Sequence, residues 1–181
     1  MPRGRKKSSE PKEEKMYSVV EEAEVIIGKL TDKYPDILWA VNPHSVITLG
    51  VENIEKPKNC SYLAKIHAIT PLYKALLKKY DIKNQYIIEL YWSDWNNWNL
   101  HTKQWILFHE LLHIPGPDKN GLIKHNIQDF SLTIDIVGVD GYENNKIPDL
   151  LGDEPVKFRK ELIPVNEEQL GENDAPTPPE Q

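Results

Sequence analysis

Cysteine is almost absent from this chain: Cys60 is the only one in 181 residues. A single thiol excludes an internal disulfide framework and any Cys-rich zinc cluster. A metal site here has to be built from histidines and carboxylates. Long apolar runs are missing as well. None approaches the roughly 18 residues that a membrane span requires, and the basic start is not followed by the hydrophobic stretch of a secretory signal. A cytoplasmic protein is the resulting expectation. There is no internal repeat. Core-forming residues are also lacking before Met16, where MPRGRKKSSEPKEEK holds six Lys or Arg against three Glu. They thin out again in the polar, Pro-rich end GENDAPTPPEQ.

The formal net charge of −6 therefore hides a basic start and an acidic end, with nine acids against three bases over 149–181. The composition, 28% charged and 39% hydrophobic, is that of a globular protein carrying some disordered sequence. The expected organisation is a disordered basic tail at 1–15, a single folded domain at 16–148 and a flexible acidic tail at 149–181.

Within the folded part, Val20, Ala23, Ile27 and Leu30 recur at helical spacing and predict a helix over 17–34, ended by Pro35. The short β-branched run SVITLGV (45–51) predicts a strand, as do SYLAKIHA (61–68) and QYIIELYW (85–92). Thr70 followed by Pro71 is a helix start, with a cap residue and then proline in the first turn. SDWNNWN reads as a Trp-rich loop whose Asn99 caps a helix running from about 100 to 114, stopped by Pro115-Gly116-Pro117. A further helical pattern joins Ile123, Ile127, Phe130, Ile134 and Val137. The sum is a small α+β domain with about three strands.

The chemistry concentrates in Phe108-His109-Glu110-Leu111-Leu112-His113. Residues four apart on a helix lie one above the other, so His109 and His113 share a face. Two imidazoles one turn apart can hold one zinc ion, and Glu110 beside the first ligand can take a proton from the water that attacks an amide. In a chain with this His and Glu content, a chance HExxH arises at a rate on the order of one per cent. The bland alternative is an accidental pattern on a surface helix. It fits poorly with the apolar flanks, because an unliganded His pair and a Glu are costly to bury.

A catalytic zinc site normally takes three protein ligands. Gly116 meets the metzincin pattern HExxHxxGxxH, but Lys119 stands where its third His belongs, and a lysine repels a divalent cation. The next candidate is His125, returned by a loop containing Pro115, Gly116, Pro117 and Gly121. Asp129, one turn later, competes for the same position or accepts a ligand N–H.

At these residues the chain resembles the putative phage metallopeptidase family. The shared features are a HELxH helix, here HELLHIPG (109–116), and after a Gly- and Pro-containing loop a segment of the type H-D-x-x-E-F, here HNIQDF (125–130). The likeness continues upstream in AKIHAITPLYKALL (64–77) and QYIIELYW. Asn126 and Asp129 depart from the family's Asp and Glu. A more distant likeness is to SprT-like proteases. The resemblance implies a zincin-like fold, one zinc ion, a peptide or protein substrate, a phage or prophage origin in a bacterial cell, and pairing of the substrate with an edge strand. The strand 85–92 is the expected edge. Tyr142 and His101 are both open as groups that stabilise the oxyanion.

Trp92, Trp95 and Trp98 either line a cleft or pack the helix on the sheet, and packing is favoured because aromatic burial dominates core energetics. Trp105 reads as core. His44, His67 and His101 lack partners at ligand spacing. Arg3, Arg5, Lys6 and Lys7 make a basic patch like part of an AT-hook, which suits electrostatic contact with DNA or a merely solvated start. Two other functions compete with the peptidase: a non-catalytic, zinc-stabilised interaction module, and a DNA-associated SprT-like protease.

Overall fold

A computed structural model describes residues 16–52, 64–78, 85–116, 119, 121–125, 130–138 and 147–163. The expected patch at Arg3, Arg5, Lys6 and Lys7 lies outside these residues, as do Asn126, Asp129 and Tyr142.

The architecture is α+β. Strand β1 (Met16–Val19) leads into helix α1 (Glu21–Lys33), followed by β2 (Val46–Glu52) and β3 (Ala64–Ala68). Helix α2 (Pro71–Lys78), strand β4 (Tyr86–Tyr91) and helices α3 (Trp92–Asn97), α4 (Leu100–Leu112) and α5 (Ser131–Val137) complete the order. The sheet has four strands in the order β1-β2-β4-β3. β2 and β4 run parallel at its centre, while β1 and β3 join antiparallel as its two edges.

Period-two burial follows from the pleat. Thr48 on β2, Ile88 and Leu90 on β4, and Ala64 and Ile66 on β3 are buried. The apolar ones form one cluster with Ala23, Ile26, Ile27 and Leu30 of α1 and with Trp105, Leu107, Phe108 and Leu111 of α4. The first turn of α1 carries Glu21, Glu22 and Glu24 and its last turn Lys33, each sign matched to the helix dipole. Gly50 on β2 is required by close approach, since the Trp92 ring occupies the place where a Cβ would project.

The fold corrects several expectations. Residues 17–19, expected in the first helix, form β1 because β2 offers their backbone a partner, with Val19 opposite Leu49. That strand is why the sheet has four members rather than three. The expected loop at 93–99 contains most of the short helix α3, which begins at Trp92, and the packing role of its tryptophans holds for Trp95, which is 1% exposed. Trp95 donates its Nε1–H to Glu22 at 3.1 Å, tying α3 to α1. β4 lies inside the sheet, so the strand 85–92 is not an edge. Of the helix expected from Ile123, the part at Ser131–Val137 is α5, residues 121–125 have no regular structure, and 126–129 lie outside the described residues.

The flexible tail expected from 149 does not describe residues 149–163. Leu150 is fully buried, and the Tyr34 hydroxyl donates to its carbonyl at 2.7 Å while accepting from the Val156 amide at 3.2 Å. Phe158 stacks on Phe108 with ring centroids 5.1 Å apart. The acidic count had masked a set of apolar residues, Leu150, Leu151, Val156 and Phe158, that the core takes up. Among the described residues no helix is long and apolar enough to cross a membrane.

Candidate metal centre

Helix α4 is built to carry a buried site. The Asn99 side chain accepts from the Thr102 amide at 2.9 Å, as the cap reading expects, and satisfies one of the helix's free donors. Residues Gln104 to Phe108 and Glu110 to Leu112 are all buried, which locks the helix rotation. His113 closes the helix as its C-cap but keeps right-handed dihedrals, φ −73° and ψ −13°. The four-residue spacing to His109 therefore survives, and the two rings lie 5.4 Å apart.

His113 also fixes the returning chain. Its carbonyl accepts from the Ile123 amide at 2.8 Å, and its ring Nδ1 lies 2.6 Å from the Ile123 carbonyl oxygen. This double link pins residue 123 to the end of α4 and delivers His125 two residues later. The Nε2 of His125 then stands 3.1 Å from that of His109 and 3.1 Å from that of His113. The structure thus brings together the three histidines singled out from the sequence, with His125 at the end of the irregular segment 121–125.

The donor set fits a divalent ion. A carbonyl oxygen only accepts, so the proton of a neutral His113 ring sits on Nδ1 and leaves Nε2 as a bare lone pair. His125 Nε2 faces this nitrogen and His109 Nε2 at 3.1 Å each, and one N–H could serve only one of them. A cation at their centre satisfies all three. Tetrahedral zinc with bonds of about 2.0–2.1 Å would place ligand nitrogens roughly 3.3 Å apart, close to the spacing found here. Among the described residues, His109, His113 and His125 are the group that could hold a metal ion, each of them partly exposed.

Glu110 follows the first of these histidines and is 7% exposed. Its Oε2 accepts the Ile66 amide at 3.0 Å, which ties the carboxylate to edge strand β3. Gly116, just past the helix, lets the Trp39 ring close over the loop, since a Cβ there would come within 2.8 Å of it.

Other sequence candidates fall elsewhere. His101 lies in the first turn of α4, 3.4 Å from Asp149. At about 1.5 Å of rise per residue it is roughly 12 Å along the axis from His109, so it does not serve the site. His67 faces Glu89 at 3.3 Å. Two neighbours of the site had only a packing role in the sequence reading: Ile123, whose contribution is a carbonyl and carries no side-chain signal, and Phe130, one apolar position of a helical pattern and the last letter of HNIQDF.

Residues 15–153 match the sequence profile of the family described as putative phage metallopeptidase. The chain belongs to that family. Comparisons with curated proteins and with solved structures returned no significant match. In this phage metallopeptidase family member the match spans β1 through Asp153. It therefore contains the whole histidine group and Glu110, while Phe158 lies beyond it.

Proposed function

We propose that this chain is a zinc-dependent metallopeptidase in which His109, His113 and His125 hold the ion and Glu110 is the general base. The observation that carries the reading is the convergence of three Nε2 atoms, two of them from the helix that also carries the buried carboxylate of Glu110. His109, His113 and His125 would hold the ion, which when bound would supply Lewis acidity at the scissile carbonyl and the attacking water. Glu110 accepts the proton of that water and passes it to the departing amine. The bond from the Ile66 amide holds the carboxylate in one orientation.

The substrate-binding edge in this reading is β3. Backbone groups of an antiparallel strand alternate in direction, and the Ile66 amide points away from β4 toward Glu110. The amides and carbonyls of Ala64 and Ala68 share that outward direction and are placed to pair with an extended peptide.

Metal analysis of the purified full chain, with a peptide-library assay, tests the proposal. About one zinc per chain and cleavage that stops with chelator are expected. Absence of bound metal after zinc loading would sink the reading, whereas tight zinc without cleavage of any peptide would favour an interaction module.

A further inference from the structure

Phe130 touches every member of the histidine group. Its ring centroid lies 5.3 Å from that of His109, 4.7 Å from His113 and 4.9 Å from His125. The three approaches are edge-on, with interplanar angles of 61°, 61° and 83°. The side chain is 1% exposed, so no water shares this contact.

The chain invests local structure in holding this ring. Phe130 is the N-cap of α5, and its carbonyl accepts from the amides of Thr133 and Ile134 at 3.0 and 3.1 Å. The buried Thr133 hydroxyl donates to the same oxygen at 2.7 Å. With its carbonyl bonded three times, residue 130 cannot shift without fraying α5. The neighbouring Leu132 is equally buried on that helix.

We propose that Phe130 is a positioning residue for the metal centre: one aromatic surface sets the tilt of all three imidazoles and closes their apolar side to water. The proposal rests on the metal-binding reading. It adds that the geometry of the tripod is imposed by a residue that donates no ligand. The His113 ring is also held at Nδ1 by the Ile123 carbonyl, but the Phe130 contact is the one that all three rings share. Apolar contact on one side also leaves the opposite side as the open approach for water and substrate.

The test compares the unmutated chain with Phe130→Leu and, as a packing control, Leu132→Ala. Zinc affinity is read by chelator competition, ligand geometry by the visible absorption of the cobalt-loaded protein, and folding by metal-free melting. Phe130→Leu should weaken zinc binding about 10–100-fold and lower and shift the tetrahedral cobalt bands. Leu132→Ala should lower the melting temperature while leaving the cobalt spectrum in place. An unchanged spectrum and affinity in Phe130→Leu would overturn the proposal, as would an equal spectral change in both variants. If Phe130→Leu does not fold, Phe130→Met is read by the same criteria. Failure of the unmutated chain to bind zinc would strike the proposed function itself, a different result from an indifferent Phe130.

Discussion

Replacing Glu110 separates its chemical role from its structural one. Glutamine keeps the size of the side chain and an oxygen that can accept from the Ile66 amide, but it cannot take up a proton. Glu110→Gln should therefore hold metal and melt within about 2 °C of the unmutated chain, while kcat/KM falls by about 10²–10⁴. That loss corresponds to about 3–5 kcal/mol of transition-state stabilisation. Alanine removes the acceptor as well. Ile66 is only 5% exposed, so its amide, which donates to Glu110 at 3.0 Å, would be left buried without that bond. Such a loss costs about 1–3 kcal/mol, and in a domain of this size each kcal/mol lowers the melting temperature by about 2–4 °C. Metal-free Glu110→Ala should thus melt roughly 2–12 °C below metal-free Glu110→Gln. Calorimetry on the two metal-free proteins reads this difference without interference from the ion. Equal melting temperatures would refute the strand tether, and a Glu110→Gln protein that cleaves at the unmutated rate would refute the general base.

His125→Ala should reduce zinc affinity by orders of magnitude while metal-free melting changes little, as read by chelator competition and calorimetry; retained affinity would mean that another group completes the site. Ala68→Pro removes one outward backbone donor from β3 and should raise KM several-fold with metal content unchanged; an unaltered KM would remove β3 as the substrate edge. Tyr34 has its pKa raised above the usual 10.0, chiefly by burial, with the Val156 amide opposing and the Asp149 charge adding to the rise. The folded state therefore holds this proton more tightly than the unfolded one. The stabilisation is complete below about pH 10 and is lost as pH climbs through the folded pKa. Tyr34→Phe should lower stability at neutral pH by about 1–3 kcal/mol through the orphaned Leu150 carbonyl. It should also flatten the alkaline decline in melting temperature, leaving the part due to Tyr86, likewise raised by burial.

Much of the site was legible because it is local. His109, Glu110 and His113 lie within five consecutive residues, and helical geometry alone sets His109 and His113 on one face. Asn99 marked the start of that helix by its chemistry, and two strands showed as the short apolar runs SVITLGV and QYIIELYW. Residues 17–19 misled because Val19 and Val20 fit a helical face as readily as a strand; only the presence of β2 decides between them. The acidic stretch after 149 misled in the opposite sense, since charge counts say nothing of where Leu150 and Phe158 find a surface.

What the sequence determined by itself was the helix, its two histidines and the acid between them, since each depends on contacts within a few residues. Strand order, the identity of β3 as the edge beside Glu110, the path that returns His125 and the placement of Phe130 against three rings were decided by tertiary structure. Each of these requires residues distant along the chain to meet, and the energy that selects the meeting comes from burial and hydrogen bonds that exist only once the whole core has assembled.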